Sequence, residues 1–69
     1  MIKLKDLLPH ISNAIECVIF FDNNDEYEYI FDLDDYEGLN KWSECVLIDW
    51  EIKIDRINDN PFLYVTNWK

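Results

Sequence analysis

Glycine is almost missing from this chain: Gly38 is the only one in 69 residues, so there is no glycine-rich loop to cradle a phosphate. Bases are scarce as well. Six Lys and Arg stand against 15 Asp and Glu, a formal net charge of −9, and such a surface repels phosphates and offers no basic stripe to nucleic acid. No run of about 18 apolar residues occurs, which excludes a membrane-spanning helix. The opening MIKLKDLLPHISNAIECVIFF carries two lysines near its start. His10, Ser12, Asn13 and Glu16 interrupt its apolar stretch and no small-residue cleavage site follows, so it does not read as a signal peptide. Asn-x-Ser/Thr glycosylation sites are absent. Two cysteines, Cys17 and Cys45, lack CxxC spacing. Reduced, buried thiols in a cytosolic protein are expected, with a disulfide or a reactive thiol as the alternatives.

What is present is apolar and aromatic: 49% hydrophobic and 16% aromatic residues, far too much for a disordered acidic tail. A chain this short supports one core, so residues 1–69 read as a single domain. Leu4, Leu7, Leu8 and Ile11 draw one apolar stripe at helical spacing, predicting an amphipathic helix over 3–12. Pro9 either ends it near Leu8 or begins a second turn-like segment. The run Cys17–Phe21 is β-branched and aromatic, apolar on both alternating sets, as in a strand covered on both faces. Asn23-Asn24-Asp25 supplies a turn, and Tyr27–Phe31 returns as the second arm of a hairpin.

Asp32 or Asp34 is placed to cap a short helix through Tyr36 that ends at Gly38. Val46, Ile48, Trp50, Ile52 and Ile54 then alternate with Leu47, Asp49, Glu51, Lys53 and Asp55, predicting a long half-buried strand. After the turn Asn58–Pro61, Phe62–Trp68 closes the domain as a strand. The fold class expected is α+β: an N-terminal helix packed on a four-stranded antiparallel sheet of two hairpins, with a short helix or loop between them. One helix covers only one face of such a sheet. The other face is expected to meet either a second molecule, in a homodimer through the sheet face, or a lid from residues 33–42 with Tyr36, Leu39 and Trp42.

Catalytic chemistry finds little support. Taking Asp22 as the first position of a calcium loop puts Tyr27 where glycine is needed and Leu33 where a bidentate Glu is required, so an EF-hand is rejected. The single histidine, His10, lies far in sequence from Cys17, Cys45 and Ser43, and nothing marks it as the base of a nucleophile. No enzyme, metal or cofactor is expected.

The charge distribution is the positive signal. Asp22, Asp25, Glu26, Glu28, Asp32, Asp34, Asp35 and Glu37 place eight acids and no base within sixteen residues, leaving seven acids and six bases for the rest. Such crowding costs stability through self-repulsion and calls for a reason: solubility, or an anionic docking surface. Acids two residues apart on a strand lie about 6.6 Å apart, against one phosphate per ~3.4 Å on a DNA strand. Imitating nucleic acid therefore needs a second row, which Asp49, Glu51 and Asp55 offer, with Lys53 interrupting. Tyr36 and Trp42 are the aromatics expected to be exposed as anchors.

KLKDLLPHIS, CVIFFD, YEYIFDLDD, VLIDWEI and FLYV together resemble small acidic proteins of phages and prophages of Gram-positive bacteria. The resemblance implies no catalytic residues. It implies an inhibitor of host defence, of the anti-CRISPR or anti-restriction kind, acting in the host cytoplasm. Its partner would be a basic host protein, a nuclease or CRISPR–Cas effector, met through an acidic, nucleic-acid-mimicking surface, with no direct contact to nucleic acid or membrane. Two alternatives stand: a self-associating accessory or structural phage protein, and an immunity protein or antitoxin neutralising a basic nuclease.

Overall fold

In the computed structural model, which describes all of residues 1–69, seven elements follow in order. They are β1 (Ile2–Lys3), α1 (Leu4–Ile11), β2 (Cys17–Asp22), β3 (Tyr27–Asp32), α2 (Tyr36–Lys41), β4 (Val46–Asp55) and β5 (Asn60–Trp68). The strands form one five-stranded sheet, β1-β4-β5-β2-β3. The α+β class is as expected, but the sheet has five strands and is mixed: β2 and β5 run parallel at its centre, and every other pair is antiparallel.

The parallel pair has a simple cause. Each hairpin is closed by a tight local turn and is antiparallel of necessity. Between the hairpins, α2 carries the chain back along the sheet, so β4 enters in the same direction as β3 and β5 in the same direction as β2. The fifth strand, Ile2–Lys3, is two residues long and pairs only with Leu47 and Val46.

Both helices lie on the same face. Leu4 and Leu7 of α1, Leu39 of α2 and Ile15 close over Val18, Phe20, Leu47, Leu63 and Val65. Phe20 is fully buried at the centre, stacked on Trp42 at 4.3 Å between ring centroids and meeting Phe31 and Trp68 edge-on at 6.4 and 5.6 Å. Residues 33–42 therefore cover the face that α1 already covers, and the opposite face of the sheet has no second layer.

Helix α1 starts without a side-chain cap. Backbone carbonyls do that work: Leu4 N–H donates to Cys45 O and Lys5 N–H to Ser43 O, both at 3.0 Å, satisfying two of the donors a helix start leaves free. Pro9 sits inside the helix rather than ending it. Its exposed ring forgoes one hydrogen bond, and the ladder resumes with Ser12 N–H on Leu8 O at 2.8 Å.

Strand β4 departs from its expected alternation. Register shifts between Leu47 and Trp50 mark a bulge, which turns the strand over. Leu47 faces the core before it; after it Trp50 and Ile52 pair with the buried Val65 and Leu63 on that same side. Helix α1 starts beside Cys45, at the near end of β4, and the far half of β4 lies outside the core cluster that the helices close over. Trp50, Ile52 and Ile54 are consequently exposed rather than half-buried.

Candidate partner-binding surface

Of the eight acids of residues 22–37, Glu28 and Asp32 lie on the edge strand β3, Asp25 and Glu26 in the turn before it, Asp34 and Asp35 in the turn after it, Asp22 at the end of β2 and Glu37 in α2. At one end, Asp22 accepts a hydrogen bond from Asn24 N–H at 2.9 Å, an Asx turn. The left-handed residue of this turn is Glu26, at φ 50°, and not one of the asparagines. At the other end, Asp35 is the residue that caps α2, accepting from Gly38 N–H at 3.0 Å, where Asp32 or Asp34 was expected. Gly38 does not end that helix. It lies in the first turn, where a Cβ would stand 2.6 Å from Phe31 Cδ1 and 2.6 Å from Asp35 Oδ2. Asp22 and Asp35 thus have structural duties. Asp25, Glu26, Glu28, Asp32, Asp34 and Glu37 make no side-chain hydrogen bond or ion pair.

The bases lie elsewhere. Lys3 and Lys5 both bond Glu44, at 2.8 and 2.6 Å, and Lys41 and Lys69 line a shallow cleft with that same Glu44. Hydrogen bonds from Lys3 and Lys5 hold the Glu44 carboxyl at about 2, well below the ordinary carboxylate range, and the Glu44 bond raises Lys5. The other two bases, Lys53 and Arg56, belong to β4 and the turn after it. None of the six lies on β3, but Lys53 shares a shallow cleft with Asp32, Lys5 a groove with Glu37, and Lys41 lies on α2 with Glu37.

The second acidic row is not beside the first. Asp49 and Glu51 sit on β4, and β5 and β2 intervene before β3 is reached, a separation of about 14 Å from three strand spacings. Register shows what lies between: Glu51, Tyr64, Ile19 and Ile30 form one row across the layerless face, and Lys53, Phe62, Cys17 and Asp32 the next. Glu28 and Asp32 face the same way as these rows, about 13 Å apart along β3, which is several times the phosphate spacing of a DNA strand.

Tyr36 is 78% exposed at the start of α2. Trp42 is not a surface anchor: it is half-buried, packed among Phe20, Tyr29, Phe31 and Trp68. The apolar centre of the layerless face, Ile19, Phe21, Ile30, Phe62 and Tyr64, was foreshadowed only by strands apolar on both sides. Nothing in the sequence marked Ile30 as one of its exposed members.

Other chemistry is sparse. Cys17 and Cys45 are free thiols, both partly exposed. Burial pushes both upward, and Asp32 and Glu16 add to the rise at Cys17, so neither is a ready thiolate at neutral pH. No three His, Cys, Asp or Glu side chains converge as metal ligands, and no helix is long and apolar enough to cross a membrane. A shallow groove of about 620 Å³ lies between the helices, lined by Leu8, Pro9, Leu33 and Leu39 together with Lys5 and Glu37. The chain matches no protein-family model, no curated protein and no solved structure.

Proposed function

We propose that this protein is a non-catalytic binding protein that docks on a basic surface of another protein through its β3 edge. The observation that carries this reading is the segregation of charge. Eight acids and no base fall within residues 22–37, on and around the β3 edge, while four of the six bases gather about Glu44 at the corner where β1 meets β4. Six of the eight carboxylates have no partner within the molecule, so docking would not have to break internal bonds to engage them. Aligned charge of this kind steers encounter and suppresses partners of the same sign.

The carboxylates are too widely spaced to reproduce a phosphate backbone one for one. Inhibition would instead follow from filling a basic groove with charge and bulk, so that nucleic acid is excluded. With the resemblance to small phage proteins, the partner class is a host nuclease or CRISPR–Cas effector, and the place of action the host cytoplasm. The test is affinity capture from a host lysate, read by mass spectrometry, using the wild type and D32K/D34K, two positions whose carboxylates have no partner within the molecule. A basic nucleic-acid-binding protein held by the wild type, released by DNA and lost with the variant, is the expected result. Equal capture by both proteins would refute the reading.

The layerless face with Ile19, Phe21, Ile30, Phe62 and Tyr64 favours a second reading, a self-associating accessory protein in which the acids only maintain solubility. In that case D32K/D34K would leave assembly unchanged and no basic partner would be captured.

A further inference from the structure

The two edges of the sheet differ. The β3 edge is acidic, whereas β4 offers an apolar one. Strand β1 pairs only with Val46 and Leu47, so the outer edge of β4 is open from Ile48 to Asp55. An open edge of this length, without proline and with exposed apolar side chains, is a template for another strand unless something covers it. On the helix side it shows Trp50, Ile52 and Ile54, the last 63% exposed. On the other side it shows Glu51 and Lys53, which have only each other at 3.3 Å and the Tyr64 ring, 4.8 Å from Lys53 Nζ.

This pattern complements itself. When two copies of the strand lie antiparallel about a two-fold axis at Ile52, Ile52 meets its own counterpart and Trp50 of each copy meets Ile54 of the other. Glu51 of each copy meets Lys53 of the other, so both charges find an opposite partner twice over. Centring on Glu51 sets the two Glu51 carboxylates face to face and offers Lys53 only Asp49, which sits in the bulge. Centring on Lys53 sets the two ammonium groups face to face and also opposes Glu51 to Asp55. The favoured register also opposes the like-charged Asp49 and Asp55 twice, at the outer ends of the pairing, where the charges are the most exposed to solvent screening. There Asp55 already accepts bonds from Ile57 N–H and Asn58 Nδ2 at 2.9 and 3.3 Å, and Asp49 lies in the bulge.

We infer that the occupant of this edge is a second copy of the chain, joined β4 to β4 into one continuous ten-stranded sheet. The inference is independent of the proposed docking function and compatible with it. The two β3 edges of such a dimer stand seven strand spacings apart, about 34 Å, beyond several Debye lengths at physiological salt. Each acidic edge stays free, and the two do not repel.

Analytical ultracentrifugation of the full chain up to millimolar concentration tests this, with far-UV circular dichroism confirming that each variant folds. The wild type is expected to pass from monomer to dimer. K53E and E51K each place like charges opposite at two positions, and each is expected to weaken the dimer by about tenfold or more. An equimolar mixture of the two variants restores opposite charges, and is expected to form a heterodimer as tight as the wild-type dimer. A wild type that stays monomeric throughout, a dimer indifferent to both substitutions, or a mixture that fails to recover would each overturn the inference.

Discussion

Replacing Gly38 by alanine tests how α2 is seated, and therefore how the acidic edge is built. In an ordinary exposed helix that change stabilises by about 1 kcal/mol. Here the added methyl would lie 2.6 Å from Phe31 Cδ1, 2.9 Å from Phe31 Cε1 and 2.6 Å from Asp35 Oδ2. Asp35 can swing away, but it then surrenders the bond it accepts from Gly38 N–H, a loss of about 1 kcal/mol for a helix N-cap. Phe31 has less room, because its ring is packed against Phe20 and Trp42. Forcing a methyl into such packing costs about 1–3 kcal/mol. Set against the propensity gain, G38A is expected to lose about 1–3 kcal/mol net. In a domain of this size that lowers the melting temperature by at least about 4 °C. Urea and thermal unfolding, followed by circular dichroism and tryptophan fluorescence, measure it. In a D35A background the same substitution should cost less, since the cap is already gone. A G38A protein as stable as the wild type, or more so, would refute the reasoning.

Phe20→Ala removes the ring on which Trp42 stacks and should cost about 3–5 kcal/mol, a large part of the stability of a domain this small, read as collapse of the urea midpoint. Glu44 is bonded by Lys3 and Lys5, and its folded pKa lies below its unfolded value. Its contribution to stability is therefore complete above the ordinary carboxylate range and is lost as pH falls towards about 2; a carboxyl NMR titration should show that low midpoint, returning to the ordinary range in K3A/K5A. Cys17 and Cys45 have pKa values raised by burial, so at pH 7 both should react with iodoacetamide more slowly than a free thiol, and speed up together as pH rises past 9.

The legible parts of the fold were those set by local chemistry. The stripe Leu4, Leu7, Leu8 and Ile11 placed α1, and β-branched and aromatic runs bounded by Asn and Asp placed both hairpins. The parallel pairing of β2 with β5 was not legible, because no residue records which hairpin edges meet. The bulge at Ile48–Trp50 was hidden for a different reason. The sequence alternates without interruption from Val46 to Asp55, and a bulge reverses which half of the alternation faces the core without altering the pattern. Trp42 was misplaced because an aromatic between Lys41 and Ser43 looks like surface until α2 turns it onto Phe20.

For the site, the acidic run spans the end of β2, the edge strand β3 with its two turns, and the start of α2. The supposed second row lies across the sheet, since β4 is separated from β3 by two strands. Asp22 and Asp35 proved to be a turn former and a helix cap, roles that Asx-turn and capping chemistry assign to just such residues.

The most direct test of the docking account is the footprint of a captured partner on the isotopically labelled protein, read amide by amide in NMR spectra. The account predicts that signals from residues 22–37 shift or broaden on binding, and that D32K/D34K slows association at low salt by about tenfold or more. A footprint confined to the Glu44 corner or to the groove between the helices, with residues 22–37 unmoved, would contradict it.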